Sequence, residues 1–129
     1  LLMSYGIEIS RFANFTHPLA YVARSVRLGV GNVILSHSMI QSNVSIGNFN
    51  LIYSHSIIAH DTSIGDNNYI VSSIIGSETI IRNGTFIGIK SSIREQLEIG
   101  DYAFIGMGSN VLNSVQKNQI VFGNPAKPQ

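Results

Sequence analysis

The chain contains no cysteine, which removes disulfides, thiolate metal centres and a cysteine nucleophile from consideration. Charge is also sparse. Eight basic residues face seven acidic ones, charged side chains make up 12% of the total, and no run of like charge occurs. Nucleic acid or an anionic membrane surface would find no field to bind. No apolar stretch reaches the roughly 18 residues of a membrane span, and no signal peptide is recognisable. A soluble, cytoplasmic protein that binds no nucleic acid and inserts into no membrane is therefore expected. So low a charge content in a small protein has a second consequence: part of the surface suits another subunit better than water.

What the chain has instead is a period of six. Val22, Leu28, Ile34, Ile40, Ile46, Ile52, Ile58, Ile64 and Ile70 follow one another at that spacing, and after one step of five so do Ile75, Ile81, Ile87, Ile93, Ile99, Ile105 and Val111. Neither a helix face nor a free-standing two-faced strand repeats in this way; a solenoid does. Four residues after each aliphatic comes a small or branched side chain, for example Asn32, Ser38, Val44, Asn50, Ser56, Thr62 and Asn68. A large group followed by a compact one lets three hexads close a triangular coil. Glycine follows the aliphatic at Gly29, Gly47, Gly65 and Gly100, positions that fall on one corner, where Arg82 is the odd member. Asn32, Asn50 and Asn68 recur once per coil, as expected of residues that tolerate a left-handed backbone or bond locally. With 44% hydrophobic residues in 129, the chain has enough apolar content for one such domain. The expected fold is all-β, a parallel β-helix of about five triangular coils stacked about 4.8 Å apart.

The step of five lies in Val71-Ser72-Ser73-Ile74, so one coil is a residue short and its corner must tighten. The ends depart from the repeat. Residues 1–6 read as the end of an amphipathic helix closed by Gly6 and Ile7-Glu8-Ile9 as a strand, so residues 1–16 are expected to be the remnant of a preceding α/β domain and 17–129 the β-helix. The last hexad ends near Val115. A short strand at Ile120-Val121-Phe122 and the loop Gly123-Asn124-Pro125-Ala126-Lys127 then supply the cap that an open stack needs.

Chemistry must come from polar residues the ladder does not require. Of the four histidines, His17 precedes a proline in the lead-in, where a structural role is expected, while His37 and His55 stand eighteen apart and should stack. His60 is followed at once by Asp61. An imidazole with a carboxylate beside it is a plausible general base, because the carboxylate holds the ring and stabilises its protonated form.

The hexad ladder, the string Ile57-Ile58-Ala59-His60-Asp61-Thr62-Ser63-Ile64-Gly65-Asp66, the lead-in Thr16-His17-Pro18-Leu19-Ala20 and the closing Gly123-Asn124-Pro125-Ala126-Lys127 resemble the left-handed β-helix (hexapeptide-repeat) acyltransferases, in the branch of sialic-acid and bacillosamine-type sugar acetyltransferases. The resemblance implies a left-handed coil and a homotrimer with its site between neighbouring prisms. It also implies acetyl-CoA as co-substrate and an amino-sugar acceptor, nucleotide-linked and destined for a surface glycan. By position it makes His60 the base, Asp61 its modulator and Gly76 the source of a backbone N–H for the oxyanion. Tyr69, Gly88, Ile89, Gly106 and Met107 fall at acetyl-CoA contacts. Tyr69 stands where relatives commonly have a second histidine, and Met107 where a glycine is usual. No metal is expected. A rival reading takes the γ-type carbonic anhydrases, which share the prism and hold a zinc ion with three histidines from two subunits: His37, His55 and His60 would then be those ligands.

Overall fold

Two-residue strands alternate with four-residue corners along almost the whole chain, and the strands stack into three parallel sheets. The structure, a computed structural model, describes residues 2–129, with side chains from Ser4 onwards. The first face carries Phe15–Thr16, Val33–Ile34, Leu51–Ile52, Tyr69–Ile70, Phe86–Ile87, Phe104–Ile105 and Ile120–Gly123, closed by an antiparallel return at Ala126–Pro128. The second carries Tyr21–Val22, Met39–Ile40, Ile57–Ile58, Ile74–Ile75, Ser92–Ile93 and Asn110–Val111. Arg27–Leu28, Ser45–Ile46, Ser63–Ile64, Ile80–Ile81 and Glu98–Ile99 make the third. A lone bridge from Val115 to Ile99 completes one more turn of that face, so there are about six coils where five were expected. The sixth closes on that single bridge rather than on a strand, and a count of full hexads stops short of it.

From Val33–Ile34 to Asn110–Val111 each strand points one residue inward, and that residue is the periodic aliphatic. Ile34, Ile40, Ile52, Ile58, Ile70, Ile75, Ile87, Ile99 and Ile105 are fully buried, each contributing on the order of 1.5–3 kcal/mol by leaving water. From Asn32 onward the compact residue at each corner is buried as well, including Asn50, Asn68, Ser56, Thr62 and Thr79. All buried side-chain polar atoms among the described residues have hydrogen-bond partners. Asn50 donates through Nδ2 to Asn32 Oδ1 and to the Gly65 carbonyl, and its own Oδ1 accepts the Asn68 N–H at 2.9 Å. These asparagines therefore bond along the prism axis, one of the two roles anticipated for them. The left-handed backbone falls one residue earlier, on Gly31, Phe49 and Asn67.

The short coil keeps its neighbours in register: Tyr69 pairs with both Leu51 and Phe86, and Ile75 with both Ile58 and Ile93. The missing residue is absorbed at the corner between the first and second faces. There Ser72 adopts a φ of 45°, and Ser73 Oγ bonds the carbonyls of Val71 and Gly88 at 2.7 and 2.8 Å.

The N-terminal segment corrects one expectation. Ile7-Glu8-Ile9 is not a strand; Ile9–Arg11 is a turn of 3₁₀-helix, closed by Arg11 N–H on the Glu8 carbonyl and Phe12 N–H on the Ile9 carbonyl. Without a sheet edge to pair with, the alternating pattern has nothing to align it, and local bonds satisfy the backbone instead. Leu2–Tyr5 is likewise 3₁₀, and it ends on Gly6 at φ 73°; Leu1 lies outside the described residues. At the other end, the expected strand runs from Ile120 to Gly123, and Ala126 packs on the core.

Candidate active site

His60 and Asp61 follow the strand Ile57–Ile58 and form the corner between the second and third faces. Asp61 is left-handed, with φ 58°, and this swing sets its carboxylate beside the preceding ring: Oδ2 lies 2.7 Å from His60 Nδ1. The carboxylate can hold Nδ1 as the N–H tautomer, which leaves the Nε2 lone pair free to accept a proton. Both side chains are half exposed, at 51% and 49%. The backbone of the corner is held from both sides. Gln41 Oε1, from the coil before, accepts the His60 N–H at 3.1 Å, and the His60 carbonyl accepts the Glu78 N–H from the coil after.

Gly76 is on this same corner, one coil on, but in the rung of Ala59 rather than that of His60. Its N–H donates to the Ile93 carbonyl at 2.9 Å and belongs to the sheet. The residue in register with His60 is Ser77, half-buried, whose N–H has no partner among the described residues. What Gly76 provides is closeness. A Cβ there would stand 2.5 Å from the Glu95 nitrogen.

The remaining predicted residues gather elsewhere. Gly88, Ile89, Gly106 and Met107 line one apolar groove of about 450 Å³, together with Val71, Phe86, Phe104 and Phe122. It runs along the first face at its corner with the second. Phe86 and Phe104 stack with ring centres 5.0 Å apart, and Phe122, brought in by the tail, meets Phe104 edge-on. The two glycines permit the groove to form: a Cβ on Gly88 would lie 2.7 Å from the Met107 nitrogen, and one on Gly106 would collide with the Phe122 ring. The N–H groups of Ile89 and Met107 have no acceptor among the described residues. Tyr69 is the next rung down from Phe86 on the same face and is 49% exposed. Sequence reasoning missed Val71, Ser77, Gln41 and the phenylalanines. The eighteen-residue spacing of Phe86, Phe104 and Phe122 was the signal for the last.

His60 and the groove thus occupy different corners of one prism. The histidines of the zinc reading are likewise divided between two corners of one chain. His37 and His55 sit on the corner between the first and second faces with their rings stacked 5.2 Å apart and 6° from parallel, so their in-plane lone pairs do not converge on one ion, and His60 is on another corner. Among the described residues no three metal-ligating side chains cluster. His17 closes its own turn, its Nδ1 accepting the Leu19 N–H. Arg82 is tied to Glu98 at 2.8 Å, a bond that with the neighbouring charge raises the guanidinium pKa above its ordinary value.

No family model and no curated protein matches the chain, but solved structures do. Perosamine N-acetyltransferase from Caulobacter crescentus, solved with CoA and GDP-perosamine, superposes with a TM-score of 0.76 at 24% identity, over 92% of this chain and 57% of that one. The acetyltransferase domain of PglB from Neisseria gonorrhoeae reaches a TM-score of 0.88 at 22% identity, over 98% and 61%. WeeI from Acinetobacter baumannii gives 0.75 at 26%, over 88% and 57%. The fold is that of the left-handed β-helix sugar acetyltransferases. This chain spans about three fifths of the length of those proteins. The PglB domain has also been solved with acetyl coenzyme A, so two of the matched proteins have structures with CoA or acetyl coenzyme A bound. Among the described residues no helix is long and apolar enough to cross a membrane.

Proposed function

We propose that this protein transfers an acetyl group from acetyl-CoA to the amine of an amino-sugar, nucleotide-linked and bound for a surface glycan, as a cytoplasmic homotrimer. One observation carries the reading: a histidine braced by a carboxylate and an apolar groove edged by unpaired backbone N–H groups, on a prism whose solved counterparts bind CoA. Because base and groove are on different corners, a complete site needs His60 of one copy and the groove of the next. A rotationally symmetric ring repeats that contact at every interface.

In this reading the groove takes the hydrocarbon part of the pantetheine arm against Ile89, Phe104 and Met107, while the free N–H groups of Ile89 and Met107 meet its amide oxygens. Acetyl-CoA supplies the activated acyl group. His60 Nε2 accepts the proton lost by the amine as its nitrogen bonds the acyl carbon, Asp61 stabilises the resulting imidazolium, and as the carbon–sulfur bond breaks the departing CoA thiolate takes up that proton and leaves as the free thiol. Negative charge on the thioester oxygen needs a fixed donor nearby; the Ser77 N–H, rather than that of Gly76, is the free one at the level of His60. With no cysteine in the chain to carry the acetyl group as a thioester, direct transfer is the simplest route.

The test is twofold. Coenzyme A should raise the melting temperature of the purified protein, and His60→Ala should lose turnover by at least about a hundredfold while keeping that shift. A protein indifferent to coenzyme A, or a His60→Ala variant with full activity, would defeat the proposal.

A further inference from the structure

On the corner that carries His60, successive coils treat the same backbone N–H differently. In the two coils after His60 the equivalent groups, on Ser77 and Glu95, have no partner among the described residues. In His60's own coil the group is bonded by a side chain, Gln41 Oε1 at 3.1 Å. Gln41 is one rung below Ala59, its own N–H donating to the Ile58 carbonyl, and it is half-buried. Its other amide atom, Nε2, reaches Met39 Sδ at 3.9 Å, so both ends of the amide are engaged and the oxygen is aimed at the peptide between Ala59 and His60.

The corner between the third and first faces shows what such bonds do in this fold. There Asn48, Asp66, Asn83 and Asp101 each accept the N–H of a residue in the preceding coil, at 2.8–2.9 Å. An unbroken column of side-chain oxygens fixes the peptide planes of that whole corner. The second corner has no such column, and its side-chain bond at this position falls at the rung bearing the histidine. A peptide plane free to rock would carry the His60 Cα–Cβ direction with it, and the ring is exposed enough to follow.

We infer that Gln41 is a positioning residue for His60: it locks the 59–60 peptide from below while Asp61 holds Nδ1 from the side, so that Nε2 points outward in one orientation. The inference rests on the reading of His60 as the base, but its structural half can be tested apart from activity.

The experiment compares Gln41→Leu, which removes the acceptor, with Gln41→Glu, which keeps an oxygen in place. In protein labelled with ¹⁵N and ¹³C, the wild-type His60 ring is expected to give one sharp set of resonances with a protected backbone amide. Gln41→Leu should broaden or split the ring signals and expose that amide to exchange, and Gln41→Glu should restore both. In the acetyl-transfer assay, Gln41→Leu should lower kcat about ten- to a hundredfold, as small misplacements of a reacting group do, with KM for acetyl-CoA unchanged and the loss largely recovered in Gln41→Glu. Unchanged His60 signals and unchanged kcat in Gln41→Leu would overturn the inference. So would equal losses in both variants accompanied by a fall in melting temperature, which would mark a structural role only. Altered ring signals together with an active His60→Ala variant would instead sink the reading of His60 as base and leave the positioning bond standing.

Discussion

At the scale of single residues, the prism separates those that build it from those it displays. Buried asparagine is a builder. Asn50 both donates to and accepts from its neighbours in a stack closed to water, so Asn50→Leu would strand the Asn68 N–H and the Gly65 carbonyl. The expected loss is about 2–4 kcal/mol of stability, read from the denaturant midpoint; a change below about 0.5 kcal/mol would mean that the ladder is dispensable. Met107 is a displayed residue, 74% exposed, and can be changed without touching the core. Met107→Asp should leave the melting temperature within about a degree or two and abolish the stabilisation given by coenzyme A. His60 and Asp61 were legible in the chain because adjacent residues of matching chemistry need no tertiary knowledge to be paired. Gln41 and Ser77 were not, since their roles come from lying one coil below and above, at separations that a residue pattern does not weigh.

Elements here are only two residues long, and their stability is collective. Every strand relies on the rung before and after it, so corners that set the rung spacing matter as much as strands. The glycine corner is tight. A Cβ on Gly65 would stand 2.3 Å from Asn83 Oδ1 and 2.8 Å from the Arg82 carbonyl, and Gly65→Ala should cost about 1–3 kcal/mol through forced separation of two coils. Thermal or chemical denaturation checks this, and an unchanged midpoint would show that the corner relaxes freely. The period of six and the glycine column could be read directly because each coil repeats the same steric demand. The N-terminal Ile7-Glu8-Ile9 could not, because alternation describes a strand only where an edge is present to pair with it. The sixth coil was undercounted for a related reason: it ends on a bridge at Val115, after the hexads have run out.

At the scale of the whole molecule, the features proposed for function divide between two corners of one prism. The outward column of the first face, Phe15, Tyr69, Phe86, Phe104, Ile120 and Phe122, is apolar and exposed, whereas the third face presents Arg27, Ser45, Ser63 and Glu98 among its outward residues. Such an asymmetry fits a molecule that meets other copies of itself on some walls and water on another. Sedimentation at micromolar concentration should give the mass of three chains; a monomer would remove the shared site. The most direct measurement is a crystal structure of the protein with coenzyme A. The pantetheine arm should lie along Ile89 and Met107 of one copy, with its sulfur within reach of His60 Nε2 from another. Coenzyme A bound with no imidazole near its sulfur, or His60 turned away from every neighbouring chain, would contradict the shared site.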